Sequence, residues 1–121
     1  MKVAIIGSRS VTMRCYPKLC AAVPIGASEI ISGGASGADD LAQKYAEEME
    51  LPLKVYLPIY EKYGKRAPLV RNMEIIHSAD YVIALWDGIS RGTSHLINDC
   101  IKEYIPIKVI YCGNEENSIW G

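Results

Sequence analysis

The chain has 121 residues, half of them apolar, and a formal net charge of −1. That length suits one domain over residues 1–121 and leaves no room for a second. The near balance of charge argues against a nucleic-acid coat or a membrane-surface protein, and the short, broken apolar runs contain no transmembrane helix.

The amino terminus, Met1–Gly7, reads as a strand rather than a signal peptide. Lys2–Ile6 is the first buried strand and ends at Gly7-Ser8-Arg9-Ser10. A helix over roughly 13–23 follows, with Pro17 leaving its start open. Glu29–Ser32 is a second short strand. Residues 38–50 form the clearest helix, because Ala38, Leu41, Ala42, Tyr45, Ala46 and Met49 recur at helical spacing. Leu53–Leu57 is a third strand, followed by a polar, basic loop over 58–67. Pro68 suits a first helical turn, with Leu69, Val70, Met73 and Ile76 as the buried face. Tyr81–Trp86 is the fourth strand and Asp87-Gly88 turns sharply after it. Leu96, Ile97, Cys100, Ile101 and Tyr104 mark the next helix, and Ile107–Tyr111 the fifth strand. The tail from Gly113 to Gly121 carries weak signals.

Strands that alternate with helices imply parallel pairing through right-handed crossovers. Near-continuous Val, Ile and Leu in the strands imply a sheet covered on both faces. The expected fold is therefore α/β: a single Rossmann-like, three-layer domain with a mostly parallel five-stranded sheet in the order 3-2-1-4-5. Ligands in such sheets bind beyond the carboxyl strand ends, at the switch point between strands 1 and 4.

The segments after each strand thus become the site. Gly7, Ser8 and Arg9 offer close backbone approach, a hydroxyl and a guanidinium fork for phosphate, although ordinary strand-to-helix turns share these residues. Gly33-Gly34-Ala35-Ser36-Gly37-Ala38-Asp39 leads straight into the clearest helix. Its glycines suggest an anion cradle of backbone amides, with Ser36 and Gly37 in the loop. Ser36 and Asp39 are also spaced as a capping box, so Asp39 has a purely structural reading. Arg71-Asn72 lie near the body of the fold; the basic stretch with Lys54, Lys62, Lys65 and Arg66 is placed to close over an anionic ligand, with a solvated surface loop as the preferred reading for its lysines. Trp86-Asp87-Gly88-Ile89-Ser90-Arg91-Gly92-Thr93 is a second glycine–hydroxyl–helix junction. Trp86 is placed to stack on a base, Asp87 to accept ribose hydroxyls, and Arg91, Gly92 and Thr93 to clamp phosphate. A turn with Ser90 or Thr93 as helix cap is the structural alternative. His95 begins the helix after this junction and is read as solvated; His77 is read as structural.

The four cysteines, at 15, 20, 100 and 112, include no CxxC pair, and the two histidines complete no metal spacing. They read as reduced thiols of a cytoplasmic protein, and no metal or other cofactor is required.

Taken in order, Gly7-Ser8-Arg9, the segment from Ile31 to Asp39, Arg71-Asn72-Met73 and the segment from Ala84 to Thr93 resemble the YspA/YpsA-related family of the SLOG superfamily. That superfamily also holds DprA and the LOG cytokinin-activating phosphoribohydrolases. The likeness runs from residue 3 to about residue 111. It implies a Rossmann-like fold and a nucleotide or nucleotide-derived ligand lined by Gly7, Ser8, Arg9, Gly33, Gly34, Gly37, Asp39, Arg71, Asn72, Asp87, Ser90, Gly92 and Thr93. It also implies a role in sensing or processing nucleotide signals in bacterial or phage settings. The LOG enzymes follow their glycine loop with a catalytic glutamate; here no Glu follows Thr93 before Glu103, so that mechanism is not carried over. Neither a broad basic face nor an added DNA-binding domain is visible, so DNA binding is not expected.

Three functions remain open on the sequence. The first is binding or sensing of a nucleotide-type ligand, with amides of both glycine loops on phosphate and Arg9 or Arg91 pairing its charge. The second is hydrolysis of an N-glycosidic or phosphate bond in a nucleotide, with Asp39 as general acid or base. The third is a protein-interaction scaffold, for which Gly34→Val, expected to block close ligand approach, would leave function intact. Self-association through a helix face, with Tyr60, Tyr63 and Trp120 exposed, is a further expectation.

Overall fold

The computed structural model describes residues 1–113. The tail beyond them, including Trp120, lies outside the described residues. Five strands, β1 (Lys2–Gly7), β2 (Glu29–Ser32), β3 (Leu53–Val55), β4 (Tyr81–Trp86) and β5 (Ile107–Tyr111), alternate with helices α1 (Tyr16–Ala22), α2 (Ala38–Glu48), α3 (Tyr60–Tyr63), α4 (Ala67–Ser78) and α5 (Arg91–Lys102). The strands form one all-parallel sheet ordered β3-β2-β1-β4-β5. This is the α/β fold, and the strand order, that the sequence implies.

Alternation along β1 explains the layers. Val3 and Ile5 point to one face, where they join Leu19, Leu41, Ala42, Tyr45, Ile83 and Leu85 under α1 and α2. Ala4 and Ile6 point to the other, where they join Ile75, Ile76, Val82, Leu96 and Cys100 under α4 and α5. Both faces are sealed, so the central strands carry aliphatic residues at consecutive positions. Each fully buried Ile or Leu contributes about 2 kcal/mol of transfer free energy.

Several boundaries differ from the sequence reading. The first helix splits into a 3₁₀ turn, Met13–Cys15, and α1, because Pro17 fits only a first turn. β3 stops at Val55. The basic loop contains α3 and a second 3₁₀ turn, Gly64–Arg66. Lys54 and Lys62 lie 5.1 Å above the rings of Tyr56 and Tyr63, respectively.

The cysteine reading requires correction. Cys15 and Cys112 are joined by a disulfide, with their Cα atoms 5.9 Å apart. Because α2 covers the β1–β2 half of its face, α1 lies over the β4–β5 half, where Lys18 Nζ donates to the Tyr111 carbonyl at 3.4 Å. The turn that begins α1 therefore meets the end of β5, a proximity that linear spacing conceals. Cys20 and Cys100 are free thiols. Burial pushes the Cys100 thiol up to about 11, which makes it a core residue rather than a reactive one. No helix among the described residues is long and apolar enough to cross a membrane.

Candidate functional site

A cleft of about 510 Å³ opens beyond the carboxyl ends of β1, β2 and β4. It lies at the switch point, where the chain departs from β1 toward β2 on one side and meets β4 on the other. Gly7, Ser8 and Arg9 from β1, Gly33 and Asp39 from the β2 junction, Arg71 and Asn72 from α4, and Asp87, Ser90, Gly92 and Thr93 from the β4 junction all line it. Five other expected site residues, Gly34, Ser36, Gly37, Trp86 and Arg91, do not. The sequence reading also missed Ser10, Ala35 and an apolar wall of Ile6, Pro68, Ile75 and Leu96. Strand and helical spacing marked Ile6 and Leu96 only as core, and Pro68 only as a first-turn residue.

The β1 end is the hub. Ser8 is 2% exposed. Its Oγ lies 2.5 Å from Ser90 Oγ and 3.1 Å from Thr93 Oγ1, and it accepts from the Asp87 amide at 3.2 Å. Its carbonyl accepts the Ala38 and Val11 amides at 3.2 and 3.3 Å. One residue thereby locks both glycine junctions to β1. Two glycines permit this closeness. A Cβ on Gly7 would stand 2.0 Å from the Leu85 carbonyl oxygen, and one on Gly37 would stand 2.5 Å from the Ser8 and Arg9 carbonyl oxygens.

The two junctions differ in their electrostatics. At the β2 junction the expected open amide cradle is not present. Asp39 folds back to accept the Gly33 amide at 3.3 Å and the Ala35 amide at 2.8 Å, and Asp40 accepts the Gly37 amide at 3.1 Å. Ser32 Oγ accepts the Gly34 amide at 3.3 Å. Carboxylates already fill the positive end of α2, which carries Asp39 and Asp40 in its first turn.

At the β4 junction the carboxylate lies outside the helix. Asp87 accepts from the amides of Ile89 and Ser90 at 2.9 and 2.8 Å, from Ser90 Oγ at 3.0 Å and from Ser10 Oγ at 2.7 Å. Partial burial opposes ionisation, but these donors outweigh it and hold the Asp87 carboxyl well below the usual range. Ser90 is the N-cap of α5, yet no side chain caps that end, and its first turn holds no acid. Gly92 and Thr93 of that turn face the cleft.

The charged lining residues are two arginines and two aspartates. Arg71 is committed to the protein: its Nη1 donates to the Gly33 carbonyl and its Nε to Asn72 Oδ1, each at 2.8 Å. Burial lowers its affinity for a proton, partly offset by Asp39. Arg9 is exposed on the cleft wall.

The remaining expected residues lie off the cleft lining. The Trp86 indole N–H donates to the Ser90 carbonyl at 3.0 Å, so the ring braces the Asp87–Ser90 turn and does not face the cleft. Arg91 is exposed outside it. Gly34 faces β3, where a Cβ would stand 2.7 Å from the Val55 and Leu57 side chains. A Gly34→Val change would therefore disturb the sheet edge and is no test of ligand approach. His95 is exposed, with Asp99 3.6 Å away, and does not line the cleft. Among the described residues no group of three or more His, Cys, Asp or Glu side chains is placed to hold a metal ion.

An all-parallel sheet with a polar cleft at its switch point defines a single Rossmann-like α/β domain. Over 84 residues the chain is 33% identical to "Gene 61 protein" of Mycobacterium phage D29, an alignment that covers 64% of this chain and 67% of that protein. The chain belongs to the family of that phage protein. No family model matches it, and no solved structure does.

Proposed function

We propose that this domain binds a nucleotide or nucleotide-derived phosphate ligand in the cleft at the β1/β4 switch point. The observation that carries the reading is the amino-terminal end of α5, whose first turn has no acid and no side-chain cap, facing a cleft walled by Arg9 and Arg71 with Asp87 at its edge. Helix amides and dipole favour an anion there, and a guanidinium supplies the matching charge. The Ile6, Pro68, Ile75 and Leu96 wall suits the flat apolar faces of a base, while Asn72 is within the same cleft for its polar edge. The resemblance to the SLOG superfamily supports the same reading.

Binding is favoured over hydrolysis by the state of Asp39. Both its oxygens accept backbone N–H bonds, an arrangement suited to a fixed structural acceptor rather than to a group that delivers a proton.

A thermal-shift panel of nucleoside 5′-phosphates, NAD, ADP-ribose, cyclic nucleotides and the parent nucleosides tests the proposal. A ligand at a hundred times its dissociation constant stabilises by about 2.7 kcal/mol, which for a domain of this size is a shift of roughly 10 °C. Shifts with phosphorylated compounds, absent with the nucleosides and lost in Arg9→Ala, are expected. No shift with any compound overturns the reading.

A further inference from the structure

We propose that the Cys15–Cys112 disulfide is a redox-active site: a dithiol opens it in the folded protein, and its opening releases the two loops that form the mouth of the cleft. The bond joins the two places where those loops are anchored. Cys15 closes the 3₁₀ turn Met13–Cys15, which follows the β1 loop directly. Within that loop the buried Val11 returns its amide to the Ser8 carbonyl at 3.3 Å. Cys112 comes immediately after β5. Its amide donates to the Trp86 carbonyl at 2.6 Å, and Tyr111 beside it stands against Gly88, where a Cβ would come within 3.0 Å of the ring. The β1 loop is thus fastened to the β4–β5 corner twice. Near its start, Ser8 meets Ser90 and Thr93, and Ser10 donates to Asp87 at 2.7 Å. At its far end the fastening is covalent. Arg9 of the cleft wall belongs to the segment so held.

The two cysteines differ in access. Cys15 is 5% exposed and belongs to the core under α1, whereas Cys112 is only half-buried. A dithiol therefore attacks at Cys112. One thiolate bonds to Cys112 Sγ, the Cys15–Cys112 bond breaks, and its electron pair leaves on Cys15 Sγ, which takes up a proton. The second thiol then attacks the dithiol's own sulfur in the mixed disulfide and releases Cys112 as a thiolate, which is protonated in turn. Two electrons and two protons pass from the dithiol, which departs as its own disulfide. Of the free thiols, Cys100 is buried on the opposite face of the sheet and Cys20 is exposed on α1, so the exchange takes an external dithiol. Once the bond is open, the β1 loop can move without carrying Cys112 and the end of β5 with it. The Asp87 turn, braced by Ser10 on one side and Tyr111 on the other, loosens with the loop.

The test uses the full chain carrying Cys20→Ser, equilibrated without denaturant in buffers of graded reduced and oxidised dithiothreitol. Alkylation with mass spectrometry counts the open thiols, circular dichroism follows the fold, and amide exchange read by NMR locates the response. Cys15 and Cys112 are expected to open together and reversibly while the circular-dichroism spectrum stays native. Amide exchange is expected to rise at least about tenfold at Val11, Asp87, Ile89 and Ser90, and to change less than about twofold at Gly33 and Ala35, whose amides Asp39 holds. A bond that opens only in denaturant, or whose opening abolishes the native spectrum, is purely structural and overturns the proposal. So does a rise in exchange that is uniform over the sheet or confined to the residues flanking the two cysteines. Every arm is read without a ligand, so the proposal stands or falls apart from the nucleotide reading.

Discussion

Ser8 and Asp87 hold the mouth of the cleft together through small groups in close register. Ser8→Ala removes the hydroxyl that meets Ser90, Thr93 and the Asp87 amide and leaves their polar atoms short of a partner inside the protein. A loss of about 1–3 kcal/mol in urea unfolding is expected. Asp87 holds its turn only while ionised. Because its folded pKa is depressed, its contribution is fully present above the ordinary carboxylate range and is lost as pH falls through the folded value. Stability of the unsubstituted protein should therefore fall with acidification below about pH 4, and Asp87→Asn should blunt the slope, as pH-dependent urea melts will show. Gly7→Ala places a methyl 2.0 Å from the Leu85 carbonyl oxygen, inside the β1–β4 ladder. It should cost more than 2 kcal/mol, whereas Gly92→Ala, whose Cβ meets nothing within 4 Å, should leave the melting temperature within a degree or two.

At the scale of elements, α2 and α5 start from similar glycine-and-hydroxyl junctions and end in opposite electrostatic states. The sequence shows the similarity, since Gly33–Asp39 and Gly88–Thr93 both offer glycine and serine before a helix. It does not show that Asp39 turns back onto its own loop while Asp87, one residue past β4, stays outside its helix. That distinction depends on backbone direction through Gly34 and Gly37, both at positive φ. Trp86 shows the same limit: its position at a strand end was legible, but the commitment of its indole N–H to the Ser90 carbonyl was not. The α1–β5 clasp is the other element-scale feature. The disulfide closes a sequence separation of 97 residues, and a loop of that length corresponds to about 4–5 kcal/mol in the chain-entropy account. Cys112→Ser should lower the melting temperature by more than 10 °C. Alkylation of the denatured, unreduced protein should modify Cys20 and Cys100 and leave Cys15 and Cys112 unlabelled.

For the whole molecule, topology carries the argument from sequence to site. Strands β2, β4 and β5 were readable to the residue because each is a short aliphatic run bounded by turn formers, and alternation with helices set the parallel order. Once that order stands, the strand ends of β1, β2 and β4 must share an edge, and residues as distant as Ser8, Asp39, Arg71 and Thr93 meet there. The apolar wall was not readable as part of the site, because Ile6 and Leu96 have the spacing of core residues and are also buried, while the helical face read from Leu69, Val70, Met73 and Ile76 passed over Ile75, which is buried where Leu69 is exposed. The central claim is that a phosphate sits on the amino-terminal end of α5, beside Arg9. Amide chemical-shift mapping of the isotopically labelled protein during titration with a nucleoside 5′-monophosphate tests it most directly. The account predicts that the largest shifts fall on Arg9 and on Ser90 to Thr93, with Gly33 to Gly37 moving little. Shifts centred on the Gly33–Gly37 loop, or spread over a face away from the β1/β4 switch point, would contradict it.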